Sequence, residues 1–248
     1  MPFGLQPYKG DQFQRLHAAG SRVVTASGVP AIFGVSRWAS ARSYAEHLLG
    51  RVPHEIHETD LMTLGKDLQG VALVRASRLT GLEFRELHHF RRHPTIERFI
   101  ASPDGYVLRG RQVIGIAEVK LVTPDRFLTA WADGPPVDVR LQVQAQIACT
   151  RAPAAWIVAM LPRMRGAWFD LEVVVYEEAP NSQLDLFEQH VADFIADLDR
   201  GTLPPLDHSE HSARVVNALY RIDQTKTVEL GAAAHEYYDA WRQGQDMV

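Results

Sequence analysis

Residues 102–120, SPDGYVLRGRQVIGIAEVK, constrain what this chain can fold into more than any other stretch. Pro, Asp and Gly interrupt the chain at its start, and the two apolar runs YVLRG and VIGIAEVK read as neighbouring strands. On a strand, side chains two residues apart share a face. Glu118 and Lys120 therefore project together, while Val119 turns into the core. Asp104 stands at the Pro-Asp-Gly turn that opens the first strand. If the strands pair, two carboxylates and an ammonium converge. Two readings are open. The stretch is a solvated hairpin that carries charge, or it holds a divalent cation. Mg²⁺ and Mn²⁺ are hard ions that prefer oxygen ligands. Such an ion lowers the pKa of a bound water and offsets charge on a phosphate, and a neighbouring lysine orients or deprotonates that water. That combination suits phosphodiester hydrolysis.

The surrounding pattern alternates between helices and strands. A short helix is expected over 11–19, and SRVVTAS reads as a brief apolar stretch. GVPAIFGVSRW and SARSYAEHLLG read as two short helices around a Gly-Val-Ser turn. Asp60 is placed to cap a long helix whose apolar stripe is Leu61, Leu64, Leu68, Val71, Ala72 and Leu79, with Gly81 at its end. LEFRELHHF and ERFIASPDG are strand-like. PPVDVRLQVQAQIACT reads as a helix with proline in its first turn, followed by strands in AAWIVAML and AWFDLEVVVY. From Asn181 a helix is marked by the stripe Leu184, Phe187, Val191, Phe194, Ile195 and Leu198. TLPPLDHSEHS is the linker candidate, with helices expected over 209–220 and 232–242. This order predicts an α/β fold around one central mixed sheet flanked by helices. Residues 1–200 are expected to form one domain, and 201–248 a linker and C-terminal helical extension.

Composition narrows the partners. No apolar run approaches the roughly 18 residues that cross a membrane, and the start carries no basic segment followed by an apolar one. The one cysteine, Cys149, excludes an internal disulfide and any cysteine-built zinc or iron–sulfur site. A cytoplasmic location is expected. The net charge is −4, yet its distribution is uneven. Residues 1–165 hold 21 Lys and Arg against 14 Asp and Glu, a net of +7, and residues 166–248 hold 5 against 16, a net of −11. A basic front part suits phosphate, and an acidic rear part repels it.

Several ordered boxes carry a resemblance. SRVVTASGVPAIFG, LGKDLQGVALVRASRLTG, SPDG, AEVK, LQVQAQIACTRAPAAWIVAMLPRM and FEQHVADFIADLDRG follow one another at matching separations. Residues 20–200 resemble the lambda exonuclease family, the YqaJ-like viral recombinase nucleases of the PD-(D/E)xK superfamily. The resemblance implies a restriction-endonuclease-like core. It implies Asp104 and Glu118 as ligands of Mg²⁺, for which Mn²⁺ substitutes, with the backbone carbonyl of Val119 completing the site and Lys120 activating or positioning the water. Ser27, Ser102 and Gln142 match positions that contact DNA phosphate. Two positions depart from the pattern. Gln69 stands where the family's long helix offers a glutamate as a further metal ligand. Gly20 stands where a phosphate-binding arginine is expected, which leaves Arg22, or Arg15, to supply the guanidinium after a shift. The implied activity is a 5′ to 3′ exonuclease on linear duplex DNA ends, leaving 3′ single strands for phage-type recombination. The implied partners are a single-strand annealing protein and two further copies in a trimer. An endonuclease of the same superfamily and a non-catalytic DNA-binding subunit are the alternatives. A Cas4-like nuclease needs four cysteines and is excluded.

Other residues read as structural. Of His88, His89 and His93, adjacent histidines on a strand face opposite ways, so a metal site there is not expected. Arg91 and Arg92 suit either duplex backbone or plain surface. Trp38 is expected in the core, with base stacking as the alternative. Gln146 shares a helical face with Gln142, and Gln144 does not. Cys149 is expected as a buried small hydrophobe.

Overall fold

A computed structural model describes residues 15–16, 18–52, 59–166 and 168–219, together with Gly231 and His235. In chain order, Val24–Thr25 (β1) leads through a 3-10 turn at Ala26–Gly28 into helices Val29–Ile32 (α1), Ala41–Leu48 (α2) and Asp60–Thr80 (α3). Strands Glu83–Glu86 (β2), Arg91–Arg92 (β3), Phe99–Ala101 (β4), Gly105–Arg109 (β5) and Gln112–Leu121 (β6) follow. Then come Pro124–Thr129 (α4), Val137–Thr150 (α5), Ala155–Arg165 (β7), Trp168–Glu178 (β8), Leu184–Arg200 (α6) and Glu210–Leu219 (α7).

The central sheet has five strands in the order β2-β5-β6-β7-β8, and only β6 and β7 run parallel. A parallel pair needs a crossover, and α4 and α5 supply it. A smaller sheet, β1-β4-β3, lies beside it. Strand β6 organises both layers through its alternation. Ile116 packs with Val139, Val143 and Ile147 of α5, whereas Ala117 and Val119 pack with Ala72, Leu73 and Ala76 of α3. Helix α6 and the α1–α2 pair close a further core around Ala145 and Ala148. Among the described residues no helix is long and apolar enough to cross a membrane.

Helix α3 differs from the expected register. Leu61, Leu64, Val71 and Leu79 are exposed, and only Ala72, Leu73 and Ala76 of the helix are fully buried. Gly65 lies against Leu121, where a Cβ would make an ordinary 3.6 Å contact, and Ala72, Leu73 and Ala76 rather than the larger stripe pack on the sheet. The cap also differs: Thr59 accepts the Met62 N–H, and Asp60 is the first helical residue, where its charge complements the helix dipole. Pro136 is the residue before α5 rather than part of its first turn. The α6 stripe is as read, with Phe187, Val191, Phe194, Ile195 and Leu198 buried. Helix α7 rests on α2, with Val215 buried and Ser212 bonded to Ser40. The helices expected over 11–19 and 232–242 fall largely outside the described residues.

Trp38 is not a core residue. Its side chain is 74% exposed. Cys149 is fully buried, and burial pushes its thiol pKa well up.

Candidate active site

The opening stretch folds as a paired hairpin, and its register builds the site. Gly105 pairs with Ala117 in the antiparallel β5–β6 ladder. One residue further along the same register, Asp104 stands opposite Glu118. Gly105 itself is demanded by packing, because a Cβ there would lie 2.8 Å from the Arg85 carbonyl of β2. Asp104 Oδ2 accepts the Val119 N–H at 2.8 Å. A strand residue presents its N–H and C=O along the same edge. The Val119 carbonyl therefore faces the side where Asp104 lies. The Asp104 carbonyl accepts the Leu87 N–H at 2.9 Å and the Gln69 side-chain amide at 3.3 Å. Gln69 thus reaches the site from the sheet-facing side of α3 and steadies its backbone.

Glu118 is 4% exposed and is held from three directions. Its Oε1 accepts from Lys120 Nζ at 2.6 Å and from Gln142 Nε2 at 2.7 Å, and its Oε2 accepts from Gln146 Nε2 at 2.5 Å. Lys120 Nζ also donates to Gln142 Oε1 at 2.9 Å. Gln142 and Gln146 are four residues apart on α5, so both amides point to one face. Gln144 faces away and ties α5 to Ala179 and Asn181. Gln146 is the functional residue that reading by resemblance did not assign. Its signal was the four-residue spacing from Gln142.

The charges are poised. Burial and the adjacent Glu118 push the Asp104 carboxyl up to about 8. Burial pushes the Lys120 ammonium down, but Glu118 outweighs it and the net shift is upward. Lys120 is therefore a held cation on Glu118, not a free base. A divalent cation fits this donor set. It has two carboxylates, a backbone carbonyl edge and a side-chain amide nearby, all oxygen-bearing groups. Asp104 uses only Oδ2 in the described hydrogen bonds, so Oδ1 is open to a ligand. No cluster of three His, Cys, Asp or Glu able to hold a metal occurs among the described residues, so carbonyl and water oxygens would complete the shell.

A cleft of about 50 Å³ adjoins these groups, lined by Thr25, Ala26, Ser27, Ile100, Ser102, Gln142 and Gln146. The structure thus brings Ser27, Ser102 and Gln142 together. Thr25 Oγ1 and Ser27 Oγ lie 3.1 Å apart, and the Thr25 N–H donates to Tyr44 Oη at 3.1 Å. Gln146 Oε1 is buried with no hydrogen-bond partner, so a ligand donating there would gain a bond. Arg22 is not among the lining residues. Its φ is +55°, and its half-exposed guanidinium lies 3.6 Å from Asp199 of α6, which Arg98 also pairs.

The histidines do not gather. His93 is buried, with Nδ1 accepting the Ile96 N–H at 3.0 Å and Nε2 at 3.1 Å from Glu188. Burial holds its pKa below the usual imidazole value. It clips the β3–β4 turn to α6. His88 is exposed, 3.8 Å from Glu86. Arg92 bonds the Glu97 carbonyl at 3.0 Å, and Arg91 lies half-buried beside it in β3.

The model for the YqaJ-like viral recombinase domain matches residues 12–153, a span that contains every group of this site. Among solved structures the chain is similar to LHK-Exo in complex with dAMP, at 27% identity over 76% of this chain and 94% of that one, with a TM-score of 0.61. It is also similar to an alkaline exonuclease, LHK-Exo, from Laribacter hongkongensis, at 24% identity over 84% of this chain and 100% of that one, with a TM-score of 0.59. No curated protein matches significantly. The fold is the restriction-endonuclease-like α/β architecture of these neighbours.

Proposed function

The chain belongs to the YqaJ-like viral recombinase domain family, and from that premise we propose that it is a metal-dependent exonuclease acting on the ends of linear duplex DNA. The observation that carries this reading is the convergence of Asp104, Glu118 and Lys120, with Gln142 and Gln146 holding Glu118. In this reading Asp104 and Glu118 bind Mg²⁺ together with the Val119 carbonyl. Such an ion, when bound, lowers the pKa of a water and offsets charge on the scissile phosphate. Lys120 then exchanges its contact with Glu118 for the attacking water or the phosphate, and its positive charge favours the developing anion. Ser27 and Ser102 present hydroxyls to a phosphate oxygen without adding charge. The similar LHK-Exo was solved with dAMP, a deoxynucleoside monophosphate of the kind such cleavage releases. Polarity is 5′ to 3′ in this reading, which leaves 3′ strands for an annealing protein and phage-type recombination.

Gln69 supports a second reading. It brings an amide rather than a carboxylate to Asp104, which leaves two acids to bind metal and suits a DNA-binding subunit without catalysis. One assay separates the readings. Purified protein with Mg²⁺ or Mn²⁺ is given linear duplex with 5′ phosphate, linear duplex with 5′ hydroxyl, and closed circular duplex. The exonuclease reading expects loss of the linear forms only. Glu118→Ala is expected to lose at least about a hundredfold in rate while still binding DNA. Cutting of the circle sinks the exonuclease reading in favour of an endonuclease. Absence of all cleavage leaves the binding subunit.

A further inference from the structure

We infer that Trp38 is a substrate-positioning residue, a fixed stacking platform for an unpaired base at the rim of the nuclease site. The inference rests on the nucleic-acid reading above and extends it to a residue outside the acid–lysine centre. Of the three tryptophans whose side chains are described, Trp131 and Trp156 are 3% and 4% exposed, whereas Trp38 is 74% exposed. A large aromatic left in water forfeits the burial that usually justifies it. Flexibility does not explain the exposure, because the loop is bonded on both sides. The Val35 and Ser36 N–H groups donate to the Pro30 carbonyl at 2.9 and 3.1 Å, and the Trp38 N–H donates to Ser36 Oγ at 3.1 Å. Next to it, the Arg37 carbonyl lies 3.0 Å from His211 Nε2 of α7, and Ser40 caps α2. The indole is thus presented on a rigid mount.

Its position points to the substrate. The Arg37 guanidinium lies 6.0 Å from the Trp38 ring centroid and bonds Asp138 at 2.9 Å. Asp138 is in the first turn of α5, one turn before Gln142, which holds both Glu118 and Lys120. About 6 Å of helix separates those two positions. A strand whose phosphate reaches Lys120 and which then runs along α5 towards Asp138 would bring a base to the indole. Arg37, held by Asp138, adds a guanidinium plane of its own beside that base. Stacking is tolerant of sequence, because every base has a π face, so this platform suits an enzyme that must advance through any sequence.

The test places 2-aminopurine at successive positions from each terminus of a linear duplex, because its fluorescence is quenched by stacking. Binding is read in a Glu118→Ala background that keeps the DNA uncut, and cleavage is read in the otherwise unaltered chain with Mg²⁺. We expect quenching confined to one or two positions near the end. Trp38→Ala should abolish it and weaken binding by roughly tenfold. Trp38→Phe should restore most of both, and Trp38→Leu, apolar but without a π face, should not. Unchanged quenching and affinity in Trp38→Ala, alongside cleavage by the unaltered chain, would overturn the inference and leave the nuclease reading intact. A changed sedimentation coefficient with unchanged quenching would assign Trp38 to a protein contact and likewise overturn it. If the unaltered chain neither binds nor cuts linear DNA, both fall together.

Discussion

A buried carboxyl beside a second carboxylate either takes up a proton or binds a cation, and Asp104 is in that position. Without metal its pKa is raised to about 8 by burial first and by Glu118 second. The sign follows directly. A raised folded-state pKa contributes stability that is present below the ordinary carboxyl range near 4 and is lost as pH rises through about 8. The EDTA-treated protein should therefore lose melting temperature progressively from about pH 4 to about pH 8 and level off above that, and Mg²⁺ should recover more of it at pH 8.5 than at pH 6. Because binding displaces a proton, Mg²⁺ affinity should rise roughly tenfold per pH unit below 8 and level off above it. Asp104→Asn should flatten both trends. A titration by calorimetry at four pH values checks this, and an equal Mg²⁺ affinity throughout would show that Asp104 is already ionised. Asp104, Glu118 and Lys120 were legible in the sequence, because strand alternation and one turn fix their geometry. The bond from Gln69 to the Asp104 carbonyl was not, since it depends on how α3 lies on the sheet.

At the level of elements, the TASG segment shows what short-range pattern conveys and what it hides. Val24–Thr25 was readable as a brief apolar stretch, but its parallel pairing with Phe99–Ala101 joins residues some 75 positions apart in sequence. That pairing sets Ser27 across the cleft from Ser102. Gly28 makes the arrangement possible. A Cβ there would fall 2.1 Å from Tyr44 Oη, the group that accepts the Thr25 N–H. Tyr44 is 7% exposed and stacks on Phe194 of α6, so it has little room to yield. Gly28→Ala should cost about 1–3 kcal/mol in urea unfolding, as overpacking does. It should also weaken binding of a 5′-phosphorylated end more than that of a 5′-hydroxyl end, because Ser27 moves with the turn. Equal losses for the two ends would separate Ser27 from phosphate recognition. Helix α3 was misread for a related reason. Its larger apolar side chains suggested the core face, yet Gly65, Ala72 and Ala76 let the helix settle close to β6.

Across the whole molecule, that displaced stripe asks for a partner. Leu61, Leu64, Val71 and Leu79 stand exposed along α3, with Met62 and Val74 beside them. A solvated helix face seldom carries so many large apolar groups without covering them. Leu64 and Val71 lie roughly 140–160° around this helix from Gln69, which faces Asp104, so a neighbour packed on that pair need not block DNA. A second copy of the chain seated there would cover it. The double variant Leu64→Asp, Val71→Asp removes apolar contact and introduces repulsion between copies. Because both positions are exposed, the folded monomer should keep its melting temperature to within about 0.5 kcal/mol of stability per site. Sedimentation at micromolar concentration should show the unaltered chain as an oligomer and the variant as a monomer. If encirclement of DNA by several copies underlies continuous degradation, the variant should also release long duplex early, giving short resected tracts at an unchanged initial rate. A monomeric unaltered chain, or an oligomer that survives both aspartates, would remove α3 from the interface and return its stripe to ordinary solvent exposure.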